Sequence, residues 1–464
     1  MKKKSFIVGG IVAVVIILIA VLCFIGFRNN NKYCSVIPQD ACVVLRVDAK
    51  SFIEKHDIDT KYLESILKLA NVSSLYDAGI NFDEPAYAFA QPSGVIGVVV
   101  PVNDGEKLEN LLNYTSTFVG SKVKSHQGYR WLETSDIVIA FDDTRLLALS
   151  GAGMNSRGKI LELMEQEADE SVLSTKLFSD LSSLDKPLAM VTSTSMLPES
   201  LTKMMPVLNG SDLKNLDVNA LVSLDIVKDK ALLEVEVKAN NDESQALLDK
   251  NAAMCHKVNG AFLSSGLHDA LVWASFNIDG SQLTSVLPSD ISKDINLSSI
   301  NGDVTVMYKD KGNEFVLLAQ VADKSILNIV QTLTDVSEGQ LQAMKLNDSK
   351  YVFNIASNAY FAGVNGKTFY LTNSSELSNN IDRNVVTGVE FLKDEITDSY
   401  AFATLNVSPF VTSQLSGQYA LMFSTYAAKL LSLDRFTLVA KSPYRYQMTL
   451  SVKDGQDFVE TMLQ

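Results

Sequence analysis

One order of elements runs twice along this chain: strand–helix, hairpin–helix, hairpin, strand–helix, hairpin–helix. The first series occupies about residues 41–250 and the second about 269–463. A repeat of that length has to be read before any local motif, because it sets the architecture. The spacing predicts a tandem duplication of roughly 200 residues.

The strand–helix element opens at ACVVLRVDAKSFI (41–53), PLAMVTSTSMLPESL (187–201), ALVWASFNIDGSQLTSVL (270–287) and YAFATLNVSPFVTSQL (400–415). About six β-prone residues run into Asp48, Ser195, Asp279 or Ser408, side chains that accept from the free N–H groups of a first helical turn. Pro409 suits that first turn, where its missing N–H costs nothing. Asp279 with Gln282 has capping-box spacing. In the hairpin–helix element the second strand meets its cap at Asp104, Asn241, Asp323 or Asp454. Leu233, Val235 and Val237 alternate with Glu234 and Glu236, which predicts one buried and one wet sheet face. The helices that follow carry apolar sides at Ile326, Leu327, Val330 and Leu333, and at Phe458, Val459, Met462 and Leu463. Lone hairpins are expected over 137–149 and 360–372, the second turning at Asn365-Gly366.

Tight turns join most strands, so the sheets are expected to be largely antiparallel. The fold class is α+β, two tandem repeats of such sheet with helices packed on one face. No βαβ series with a Gly-rich first turn appears, which disfavours a dinucleotide fold.

The N-terminus reads Met1-Lys2-Lys3-Lys4-Ser5 and then runs without a charge from Phe6 to Phe27. Twenty-two residues at about 1.5 Å each span roughly 33 Å, enough for a bilayer core of about 30 Å. The three lysines place the N-terminus in the cytoplasm. The expected organisation is therefore a basic tip (1–5), a transmembrane anchor (6–27), a linker (28–36), a first repeat (37–260) and a second repeat (261–464). A cleaved signal peptide would have an apolar region of about 7–15 residues ending at an Ala-x-Ala-like site. Lipidation at Cys23 would follow Ala20-Val21-Leu22, where the bulky Leu22 is a poor match. The expected location is the inner membrane, single-pass, with the C-terminal region periplasmic.

The net charge is −14, and residues 33–464 carry −19 once the five cations before them are set aside. Nucleic acid is excluded as a natural partner, since phosphate binding needs a basic face. Four cysteines are too few for a disulfide scaffold. Cys34 and Cys42, just beyond the anchor, could form a disulfide in an oxidising compartment.

No catalytic constellation emerges. His56, His126, His256 and His268 show no i, i+4 pair, and Cys255-His256 with His268 fits no zinc spacing. Ser65/Lys68 and Ser183/Lys186 have Ser-x-x-Lys spacing without a Lys-Thr-Gly partner. Gly366-Lys367-Thr368 lacks the earlier glycine of a phosphate loop, since position 361 is Phe. Asp142-Asp143 reads as a turn. Asn71 and Asn113 sit in Asn-x-Ser/Thr tripeptides. Trp131 and Trp273 are candidates for a carbohydrate-stacking surface, with core packing as the competing role. No catalytic, metal or cofactor residues are assigned.

The segment Tyr33-Cys34-Ser35-Val36-Ile37-Pro38-Gln39-Asp40-Ala41, after a membrane-targeting run and before Val47-Asp48, resembles the start of domain-of-unknown-function family 4836. DALVWASFNIDGSQL (269–283) is also similar to it. The resemblance implies an envelope protein of gut-type Gram-negative bacteria and carries over no catalytic residues. The expected function is a non-enzymatic binding or scaffold module outside the inner membrane, held by its N-terminal helix, with an envelope protein or glycan as partner. The alternatives are an envelope hydrolase with a site in the cleft between the repeats, and an assembly or chaperone factor.

Overall fold

The computed structural model describes residues 31–56, 75–116, 122–126, 128–196, 216–281, 297–336, 342–355, 358–415 and 427–463. The expected anchor at 6–27, Cys23, Ser65/Lys68, Asn71 and Gln282 lie outside the described residues. Among the described residues no helix is long and apolar enough to cross a membrane. The chain is α+β, dominated by antiparallel sheet with helices. It divides into unit 1, Met1–Asp225 with Val237–Asn241, and unit 2, Ile226–Glu236 with Asp242–Gln464.

Unit 1 contains β1 (Val43–Val47), β2 (Ala86–Ala90), β3 (Ile96–Pro101), β4 (Lys124–His126), β5 (Tyr129–Glu133), β6 (Ile137–Phe141), β7 (Arg145–Ser150) and β8 (Leu188–Ser193), followed by β9 (Val218–Val227). The antiparallel pairings run β9–β8–β1–β2–β3–β7–β6–β5–β4. After β10 (Lys230–Ala239) and the two-residue β11 (Cys255–His256), unit 2 continues with β12 (Val272–Asp279), β13 (Ile300–Lys309), β14 (Glu314–Val321), β15 (Gln342–Asn347), β16 (Lys350–Ile355), β17 (Asn358–Asn365), β18 (Thr368–Thr372), β19 (Ala401–Asn406), β20 (Leu433–Ser442) and β21 (Arg445–Val452). Its pairings run β21–β20–β19–β12–β13–β14–β18–β17–β16–β15. Strand for strand, β20 to β15 follow the order of unit 1 from β9 to β4, and β21 pairs with β20 as β10 pairs with β9. The first seven residues of β10 pair with β21, from Lys230↔Ser451 to Glu236↔Arg445.

Apolar clusters and helices cover both faces of each sheet, not the single face expected. In unit 1 Val99, Leu147, Leu149 and Ala140 join one cluster with Ile160 and Leu163 of the helix Ser156–Glu165 and Phe178 of Lys176–Ser182. Val100, Leu146, Ala148, Ile139 and Phe141 face the other way, onto Leu108, Leu111 and Leu112 of Gly105–Ser116. In unit 2 Val316, Leu318 and Tyr370 belong to one cluster. Ala319 lies in another with Ile326 and Leu327, and Val330 packs near Phe353 and Ala362. The physical reason is visible in the strands: Val98-Val99-Val100 and Leu146-Leu147-Ala148-Leu149 are unbroken apolar runs, the pattern of strands buried on both sides. The expected alternation in β10 is likewise absent, since all ten residues are half-buried.

Local signals fare better. Asp48 accepts from the Ser51 N–H at 3.1 Å, Asp104 from Lys107 at 3.0 Å, and Asp323 from Ser325 at 2.7 Å. The last helix, Phe458–Leu463, is capped by Asp457 and not by Asp454. Ser408 lies inside the helix Val407–Leu415, one residue past its start. The β17–β18 hairpin closes at Asn365↔Thr368, so Gly366-Lys367 is the turn and Gly366 takes φ +59°. That left-handed conformation is why glycine stands there. Asp142 builds its turn by accepting from Thr144 and Arg145 N–H at 2.7 and 2.9 Å.

Candidate functional site

Most sequence candidates resolve into structural roles. Trp131 and Trp273 are buried, 7% and 1% exposed, so neither presents a ring face for stacking. Trp273 meets Phe402 edge-on at 6.1 Å, and Trp131 lies under the Arg157 guanidinium at 4.3 Å. Cys34 and Cys42 are free, buried thiols. Cys42 Sγ donates to Ala90 O at 3.3 Å. Burial pushes the Cys34 thiol well up, which removes thiolate character. Lys186 of the Ser-x-x-Lys pair turns to Asp225, and Ser183 donates to Asp180 O. Asn113 accepts from Val123 N–H at 3.2 Å. Asp279 caps through Ser281. Among the described residues no three His, Cys, Asp or Glu side chains cluster as a metal site.

Two buried carboxylates organise their surroundings. Asp225 in unit 1 holds both Lys55 and Lys186. Burial alone would raise its pKa, but the two lysine hydrogen bonds outweigh that and hold the carboxyl below its usual range. Asp303 on β13, fully buried, accepts three successive backbone N–H groups, from Asn259, Gly260 and Ala261 at 2.9, 2.8 and 3.1 Å. It thereby pins the segment that leads into β12.

The far end of that pinned segment helps wall an open cavity of about 380 Å³ in unit 2. That volume lies in the range of small-molecule sites. Gly266, at φ +96°, brings the backbone so close to β13 that a Cβ would stand 2.8 Å from Met307 Sδ. Leu267 then anchors in the core and His268 emerges at the mouth. The second wall is the β13–β14 turn, whose ends Lys309 and Glu314 lie opposite each other in register. Asn373 ties that turn down, accepting from Phe315 N–H at 3.0 Å and donating to Asn313 O at 2.7 Å. The third wall is the short helix Ser375–Asn379, capped by Ser374, which brings Glu376 and Leu377 to the cavity. Arg383 and Val386 complete the rim. The 385–390 stretch is fixed by Asp269 N–H to Val386 O (3.0 Å), Thr387 Oγ1 to Leu263 O (2.6 Å), and Glu390 accepting from Thr387 and Gly388. Burial pushes Glu390 up, but its own amide and those of Thr387 and Gly388 outweigh it and hold its carboxyl below its usual range.

The pocket is therefore a firm-walled concavity with charges of both signs. In unit 1 the segment before β1 is tied by polar side chains as well: Gln91 donates to Asp40 at 2.6 Å, Gln166 to Ser35 O and Ile37 O, and Arg145 to Ser35 Oγ. Of the residues singled out from sequence, only His268 lines the cavity, its Nδ1 2.9 Å from Asp269. Lys309, Glu314, Glu376 and Arg383 had no signal of their own, since a charge beside a turn reads as a solvated one.

The profile of a domain of unknown function, DUF4836, matches residues 33–457. No curated protein matches the chain. Among solved structures, crystal form IV of TP0453 aligns at 13% identity over 45% of this chain and 83% of that one, with a TM-score of 0.30. Crystal form III aligns at 14% identity over 48% and 88%, also with a TM-score of 0.30.

Proposed function

We infer a role for this chain, which belongs to the DUF4836 family, from its own residues: it is a membrane-tethered, non-enzymatic binding module that works outside the inner membrane. The observation that carries the reading is the open 380 Å³ cavity of unit 2, whose walls are pinned by buried hydrogen bonds before any ligand arrives. Preorganised walls spare a ligand the cost of ordering them. The tether is the uncharged run Phe6–Phe27 behind Lys2, Lys3 and Lys4. The matching strand orders of the two units support a duplicated ancestral unit.

The test is in-cell photo-crosslinking from a benzophenone amino acid placed at Val386, with mass spectrometry of the adducts. A defined adduct at 386, absent when the same probe replaces exposed Ile96 in unit 1, supports the reading. No adduct, or the same adducts from both sites, counts against it. Protease digestion of spheroplasts checks the topology: residues beyond 33 are expected to be cleaved with the inner membrane intact.

A further inference from the structure

Lys309, Glu314, Glu376 and Arg383 face one cavity. Among the described residues none of the four makes an ion pair within 4 Å; the ion pairs found there involve other side chains. Lys309 and Glu314 are half-buried and sit across from each other on paired strands, yet do not close on one another. His268 is already engaged by Asp269. The cavity thus presents two cations and two carboxylates with their charge uncommitted.

We propose that the pocket takes a small zwitterion, an amino acid or short peptide with both its ammonium and its carboxylate free. The argument is one of elimination by charge. An anion would meet Lys309 and Arg383 but bring its charge against Glu314 and Glu376. A cation meets the mirror-image penalty. A neutral ligand such as a glycan strips water from the half-buried Lys309 and Glu314, covers Arg383 and Glu376, and returns no counter-charge. Only a ligand carrying both signs satisfies both pairs, and complementarity of that kind sets specificity. Arg383 supplies the planar fork that carboxylates fit. Val386 and Leu377 add apolar wall to the same cavity for a short side chain.

This proposal rests on the pocket being a binding site, and the experiment separates the two. Full-length protein in detergent is titrated calorimetrically with alanyl-alanine, its N-acetyl form, its C-terminal amide, and N,N′-diacetylchitobiose as a neutral probe. Alanyl-alanine is expected to bind, each blocked form at least ten-fold more weakly, and the disaccharide not at all. Arg383→Ala is expected to weaken alanyl-alanine at least ten-fold while leaving the amide unchanged. Glu376→Gln should spare the N-acetyl form in the same way. Both positions are exposed, and unchanged melting curves confirm folding. Equal binding of charged and blocked peptides, binding of the disaccharide alone, or no binding by any probe overturns the zwitterion. If the adduct at position 386 persists in those cases, the binding site stands and only its ligand class falls.

Discussion

In both units apolar side chains hold the segment before the first strand; unit 2 adds a buried carboxylate that clamps the backbone of that segment. Tyr33, Cys34, Val36 and Ile37 sink into the unit 1 cluster, with Tyr33 tilted against Tyr87 at 6.1 Å. Burial raises the pKa of both tyrosines far above the usual range. In unit 2 Asp303 grips three amides of 259–261, and Gln320 supports it by accepting from the Asp303 N–H at 2.9 Å. The clamp fixes the unit 2 segment at 259–261 and Leu267 anchors it again in the core, which holds Gly266 and His268 in place as part of the cavity wall.

The chain has two tryptophans, Trp131 in unit 1 and Trp273 in unit 2, so Trp131→Phe and Trp273→Phe variants give each unit its own fluorescence signal. The largest expected effect is Asp303→Ala. It orphans three amides that a charged acceptor had satisfied, at a cost of about 4 kcal/mol. The urea midpoint read by Trp273 should fall while that read by Trp131 stays; equal shifts in both would erase the contrast.

Next comes Cys34. Its thiol is buried within hydrogen-bond reach of the Tyr33 and Tyr87 side chains, so Cys34→Ser keeps polar partners and should cost about 1 kcal/mol, whereas Cys34→Leu overpacks the site and should cost about 2. If Leu were the milder change in the urea midpoint read by Trp131, this part of the unit 1 core would not be closely packed.

Asp225 and Asp48 sharpen the picture within unit 1, because their pKa values move in opposite directions. Asp225 is held below its usual range, so its stabilisation is full above about pH 4 and is lost as pH falls through its lower folded value. Asp48 is raised by burial, so its share of stability grows as pH falls from neutral through its raised value. Acid titration followed by Trp131 should lose part of its low-pH decline in Asp225→Asn, and should lose the opposite slope in Asp48→Asn. The same sign in both variants would contradict these assignments.

The smallest effect is expected from Gly366→Ala. No neighbour lies within 4 Å of its Cβ position, so only the left-handed backbone is penalised, by about 1 kcal/mol. Native-state hydrogen exchange should report it at the β17–β18 hairpin and nowhere in unit 1.

What could be read from the chain followed its range. Caps at Asp48, Asp104 and Asp323 and the turn after Asn365 act over two or three residues, and the sequence carries them openly. Coverage of both sheet faces is also written in the chain, in the unbroken apolar runs 98–100 and 146–149 that lack strand alternation. The role of Asp303 is not, because its partners lie more than forty positions away and an aspartate in a strand looks like a wet face. The pocket draws on four stretches between 266 and 386, joined only by folding. Trp131 and Trp273 show the converse, since residue type alone does not separate a stacking platform from a core.

The division of β10 has a consequence for synthesis. Ile226–Glu236 belongs to unit 2, yet its partner strand Arg445–Val452 lies more than two hundred residues further on. At roughly 5–20 residues per second that is roughly 10–40 s during which a finished strand waits for its mate. Unit 1 meanwhile needs Val237–Asn241, which the ribosome delivers only after it has begun unit 2. No single cut therefore yields both units whole, and a nascent chain carries an unmatched strand edge for most of the time unit 2 is being made.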